Sequence, residues 1–190
     1  MSETDYGREP VTIVELYQPR CSLTYGTAPC TATGTPKCYQ TWGSCRDRTN
    51  IDSAGSITWR FRKPDAGIMP LYAEAGSDIE TNPIPILVGV TTSSSAINSG
   101  AQRAGQSPLG IRGAVTVTLQ DAPWDDHVGD SYLADRSAVR GNFWAKWRAR
   151  NLFYGGMLIR VYEGYKGQVL SAMQRRDYIL DGVVGPDASG

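Results

Sequence analysis

Four cysteines, Cys21, Cys30, Cys38 and Cys45, are the chain's whole complement of thiols, and they stand in one stretch with eight, seven and six residues between successive members. Thiolates are soft ligands, and three chemistries use four of them. A structural zinc ion takes four sulfurs in a tetrahedron, although zinc ribbons usually present them on short C-x2-4-C knuckles, which are absent here. An iron–sulfur cluster is also held by four cysteine thiolates, although the common ferredoxin spacings are missing. Two disulfides are the third solution, with three connectivities. The N-terminus, MSETDYGREP, has neither a basic start nor an apolar run, so a cytosolic protein is expected, and stable disulfides are uncommon there. Arg20, Lys37, Arg46 and Arg48 flank the thiols against Asp47 alone. Such cations would offset the negative charge of a metal–thiolate centre and depress thiol pKa values, or else serve as ordinary solvated charges. Tyr17, Tyr25, Tyr39 and Trp42 are placed to shield a cluster from water or to pack the segment against a sheet.

Other chemistry-bearing residues are weaker candidates. Asp125, Asp126 and Asp130 surround His127, the only histidine. They follow Pro123, where aspartates are common turn residues, so a turn or surface role is expected rather than a cation site. Arg140, Lys146, Arg148 and Arg150 suit an exposed helix face, an acidic neighbour or nucleic acid. Trp144 and Trp147 read as core or interface anchors rather than a base-stacking platform. The sequence has no glycine-rich phosphate loop, no Ser-His-Asp arrangement and no paired catalytic carboxylates at motif spacing, so no enzyme activity is expected.

The elements that must position the thiols are mostly strands. Residues 11–17 (VTIVELY) are β-branched and apolar. In SITWRFR, Ile57, Trp59 and Phe61 alternate with Thr58, Arg60 and Arg62, the period of a half-buried strand. Residues 84–92 suit a buried strand whose start, at Pro85, belongs at an edge. In GAVTVTLQD, Val115, Val117 and Leu119 face one way and Thr116, Thr118 and Gln120 the other. Residues 157–165 and 176–184 give two further strands. One helix is expected over Arg136–Asn151, with a stripe of Val139, Phe143 and Trp147 and a cap from Asp135 or Ser137. Residues 18–50 hold all the cysteines with Pro19, Pro29, Pro36 and three glycines and show no periodicity, so they read as a long insert that needs a staple. Residues 93–110, rich in Ser, Gly, Ala and Gln, read as a loop that orders against a partner. The pattern implies a mainly β fold, a barrel or sandwich decorated by loops.

Composition narrows the function classes. The chain has 190 residues, 19 Lys+Arg and 19 Asp+Glu, so the formal net charge is zero, which argues against a dedicated nucleic-acid binder. The apolar run Ile84–Val90 is too short to span a membrane.

The stretch CSLTYGTAPCTATGTPKCYQTWGSCRD, residues 21–47, resembles tail-tip hub proteins of long-tailed, lambda-like bacteriophages and gene transfer agents. Their pattern falls on Cys21, Tyr25-Gly26, Pro29-Cys30, Lys37-Cys38-Tyr39, Thr41 and Cys45-Arg46-Asp47. Residues 108–126, 141–156 and 177–187 are similar to the family as well, so the likeness covers most of the chain. Gln40-Thr41-Trp42 departs from the family's Asn, Thr and Arg.

The resemblance implies a structural virion protein with a tail-tube-like β-barrel or sandwich hub domain over residues 1–190. It implies a homotrimeric ring joining the tail tube to the tip or baseplate, and a 4Fe-4S cluster on Cys21, Cys30, Cys38 and Cys45, with zinc as the alternative. Expected partners are the distal tail protein, other tip and baseplate proteins and the tape measure protein. DNA would meet the chain only in passage through the tail. The location would be the virion's tail tip after assembly in the host cytoplasm, and the chain would be the N-terminal part of a larger hub or a split version of one. The same cysteines leave open an iron–sulfur electron-transfer protein or a zinc-stabilised nucleic-acid module.

Overall fold

A computed structural model describes residues 9–64, 83–93, 113–124, 126, 132–135 and 140–185. Strand β1 spans Pro10–Arg20, β2 Gly55–Arg62, β3 Leu87–Thr92 and β4 Val115–Leu119. Helix α1 spans Phe143–Arg150, and strands β5 (Leu158–Tyr165) and β6 (Gln174–Ile179) follow. The protein is mainly β. Four strands form one sheet in the order β2-β1-β5-β6, and β3 and β4 form a second, two-stranded sheet. Every pairing between these strands is antiparallel. Among the described residues no helix is long and apolar enough to cross a membrane.

Strand β1 is buried on both faces, because its successive side chains point to opposite sides of the larger sheet. Val14 and Leu16 enter one core with Trp59, Phe61, Leu87, Phe143, Trp147 and Val161. Val11 and Ile13 enter a second with Tyr162, Leu170 and Met173. The first core joins the two sheets and α1. Its aromatic rings meet edge to face, with Trp59–Phe143 centroids 5.2 Å apart and Trp124–Phe143 5.4 Å apart. The alternation expected in β4 holds: Val115, Val117 and Leu119 pack on this core while Thr116 and Thr118 are exposed.

The second face carries an ion row across all four strands. Arg60 Nε donates to the buried carboxylate of Glu15 at 2.6 Å. Tyr162 Oη donates to the other Glu15 oxygen at 3.0 Å, and Arg160 stands 4.0 Å from it. Arg160 Nε lies 3.7 Å from Asp177. Registry makes this row, since Glu15 opposes Arg60 on one side and Arg160 on the other, and Arg160 opposes Asp177. Alternation alone assigns Arg60 to solvent; its partner on β1 buries it.

Three boundaries differ from the sequence expectation. The helix starts at Phe143 rather than Arg136. Gly141 has φ +146° and Asn142 is extended, bridged to Pro123, while Trp124 N–H donates to Gly141 O. The chain before the helix is thus committed to pairing. The first helical amides are satisfied from outside, Phe143 N–H by Ala122 O and Trp144 N–H by the Asp121 carboxylate at 3.1 Å. The cap position is Asn142, Asp135 lies in a 3₁₀ turn at Leu133–Asp135, and Ser137 and Val139 lie outside the described residues. The last strand covers Gln174–Ile179 rather than 176–184, and β1 runs on to Arg20, so the insert begins at Cys21. Most of the loop expected at 93–110 lies outside the described residues.

Candidate metal centre

The cysteine segment is the connection between two neighbouring antiparallel strands. Arg20 of β1 opposes Gly55 of β2 as their last registered pair, so residues 21–54 leave and rejoin the sheet at one point. A Cβ at Gly55 would lie 3.0 Å from Arg20 O, which keeps this neck closed to larger residues. Ser22 N–H donates to Asp52 O at 2.9 Å, and Ser22 Oγ to the Asp52 carboxylate at 2.5 Å.

Within the insert, short polar ties replace periodic structure. Cys21 N–H donates to Gln40 O at 2.7 Å, joining the first thiol to the residue two after Cys38. Gln40 has φ +57°, a region that favours glycine and asparagine, and its side chain accepts from Arg20 and donates to Leu23 O. The departure of this chain from the hub pattern thus falls on a left-handed residue. Asp47 fastens two arms: it accepts from Thr31 N–H at 2.7 Å, from Thr31 Oγ1 at 2.9 Å and from Asn50 Nδ2 at 2.9 Å. The Asn50 and Thr31 bonds hold the Asp47 carboxyl below its ordinary value. Tyr25 Oη donates to Thr33 O at 2.6 Å.

Two supports from later in the chain hold the insert. The turn at 132–135 brings Tyr132, whose hydroxyl accepts from Tyr25 N–H at 2.7 Å, and Asp135, which pairs with Lys37 at 2.6 Å. On the other side, a 3₁₀ turn at Trp42–Ser44 abuts the end of α1. Gly43 is so close that a Cβ there would sit 2.7 Å from Arg150 O. The Arg150 guanidinium stacks 3.5 Å from the Tyr39 ring centroid and grips Asp126 through two bonds of 2.8 and 2.9 Å. Lys146 reaches the same carboxylate at 3.2 Å.

Asp126 is therefore neither a surface residue nor free to bind a cation: it is 4% exposed and answered by Arg150 and Lys146. Burial works to raise its pKa, but the two cations outweigh burial and leave it below the ordinary value. Its φ of +68° is nevertheless that of a turn residue, in keeping with the sequence. Asp125, His127 and Asp130 lie outside the described residues. Of the cations expected on the helix, Lys146 and Arg150 turn inward to Asp126, and Arg148 donates to Gly185 O. Trp147 is in the core, with Trp144 packed against it. Gln18, unremarked in the sequence, accepts from both Trp59 Nε1 and Trp147 Nε1 at 2.7 and 2.8 Å and so locks sheet to helix.

None of the four cysteines is in a disulfide; Cys21 is buried and the other three are half-buried. Burial pushes the Cys45 thiol up, a hydrogen bond from the Asp47 backbone pulls it back, and Cys38, Cys21 and Cys30 each add to the rise through their charge. Among the described residues no group of three or more His, Cys, Asp or Glu is gathered as the ligand set of a metal ion. The donor chemistry suits a thiolate-bound centre: four thiols on one insert, with no disulfide between them. No family model, no curated protein and no solved structure matches the chain.

Proposed function

We propose that this chain is a structural hub protein of a phage tail tip, a tail-tube-like β-barrel or sandwich component whose β1–β2 insert is stapled by a 4Fe-4S cluster on Cys21, Cys30, Cys38 and Cys45. The observation that carries the cysteine assignment is that all four thiols of the chain stand on the one β1–β2 insert with no disulfide between them, on a segment otherwise held by isolated polar ties. The same four thiols suit a 4Fe-4S cluster or a single zinc ion, and metal analysis separates the two. When bound, the cluster supplies coordinate bonds that fix the insert and add folding energy. The chain's own residues do the rest: Asp47 ties the arms, and Tyr39 and Gly43 seat the insert on α1.

The tail assignment rests on the four blocks of sequence resemblance. A mainly β chain with an exposed edge strand suits assembly into a ring, because strand edges and their neighbours are natural contact surfaces. Anaerobic expression with iron and sulfide analysis and a Mössbauer spectrum tests the cluster; a colourless protein with stoichiometric zinc and no iron would sink it. Electron microscopy of tails decorated with an antibody to this chain tests the location, and label anywhere but the tip overturns it. A reversible redox couple would favour the electron-transfer reading instead.

A further inference from the structure

Gln18 is 4% exposed, and its side-chain oxygen accepts from two indoles, Trp59 Nε1 at 2.7 Å and Trp147 Nε1 at 2.8 Å. An indole N–H only donates, so these bonds fix which end of the amide is oxygen and which is nitrogen. The nitrogen, Nε2, carries two N–H groups, and no acceptor among the described residues answers them. Buried donors in folded proteins are rarely left so, because an unmade bond costs the donor its hydration.

Gln18 lines a cavity of about 50 Å³ where three parts of the fold meet. With Gln18 from β1, its wall takes Gln40 and Thr41 from the insert and Arg150 and Asn151 from the end of α1. Asn151 is also buried; its Nδ2 donates to Trp147 O at 2.9 Å, and no donor among the described residues reaches its Oδ1. The wall thus holds an unanswered donor and an unanswered acceptor. That pair selects the occupant. An anion would answer Gln18 and be repelled by Asn151 Oδ1, a cation the reverse, and an apolar guest would leave both unpaired. The charged groups in the wall are already matched, Asp126 by Arg150 and Lys146, and Arg20 by Gln40. Water donates and accepts, and the space holds about three molecules at about 10–15 Å³ each.

We propose that this cavity binds a cluster of about three ordered waters, one of them accepting from Gln18 Nε2 and one donating to Asn151 Oδ1. The cluster is a solvent joint between sheet, helix and insert, so the chain at Gln40 and Thr41 rests on the body partly through water. No cysteine lines the cavity, so the hydration and the metal reading can fail separately.

Two measurements on the full wild-type chain test this together. An atomic-resolution crystal structure should show water at hydrogen-bond distance from Gln18 Nε2 and from Asn151 Oδ1. In solution, the Gln18 side-chain amide protons of 15N-labelled protein should give NOE and ROE cross-peaks to water of opposite sign. That pattern marks water that tumbles with the protein; exposed Gln174 supplies the surface baseline. The proposal requires both results. It is overturned by a cavity without water density, by a protein acceptor found on Gln18 Nε2, or by density that refines as an ion. Cross-peaks no different from the Gln174 baseline overturn it as well.

Discussion

Asp126 keeps its charge inside the protein only because Arg150 and Lys146 answer it. Removing the carboxylate strands two cations, and breaking a buried pair in this way costs about 3 kcal/mol. Asp126→Asn should lower stability by that order in urea titration at neutral pH. Because the folded-state pKa lies below the unfolded one, the contribution is complete above the unfolded value of 3.8 and is lost as pH falls through the folded value. The wild type should therefore lose stability more steeply than Asp126→Asn as pH drops below about 4. Gln18 offers a cleaner case. One oxygen serves two buried indoles, so Gln18→Leu leaves both N–H groups unpaired at about 1–3 kcal/mol each. A melting curve with tryptophan fluorescence would record both the loss and the changed ring environment. The cysteines and tryptophans were legible in the sequence because type and clustering alone single them out. Asp126 was legible only as a turn, since its partners lie 20 and 24 residues away on a helix whose inward face could not be assigned. Glu15 and Gln18 gave no signal at all, because their burial depends on which strand lies opposite.

Among the elements, the junction between the insert and α1 has the least room. At Gly43 an added methyl would meet the Arg150 carbonyl, and overpacking of this kind costs about 1–3 kcal/mol. Gly43→Ala should lower the melting temperature and expose the insert to protease while the β-sheet signal in circular dichroism persists. Six strands could be read from alternation and β-branched runs, with ends wrong by a few residues. The helix start was misplaced for a definite reason: its amphipathic stripe continues upstream on paper, but the residues before Phe143 are drawn into pairing with 122–124. Nothing local in the sequence reveals that competition.

At the scale of the molecule, the larger sheet and the insert are joined by one neck and two supports. Loss of one proposed cluster ligand should therefore act on the insert first. Cys45→Ser should abolish iron loading and make residues 22–54 the first site of limited proteolysis, with the sheet surviving as a protected fragment; a variant that holds full iron would remove Cys45 from the ligand set. Pairing order, and with it the β1–β2 hairpin that carries the thiols, was not readable beforehand, because a connection so long hides the adjacency of the strands it joins. That adjacency has a consequence for the history of such a chain. Since the cysteine segment departs and returns at facing residues, Arg20 and Gly55, it can be shortened, exchanged or lost without re-threading any strand. The cysteine insert and the scaffold beneath it are therefore separately heritable parts, free to change at different rates within one gene.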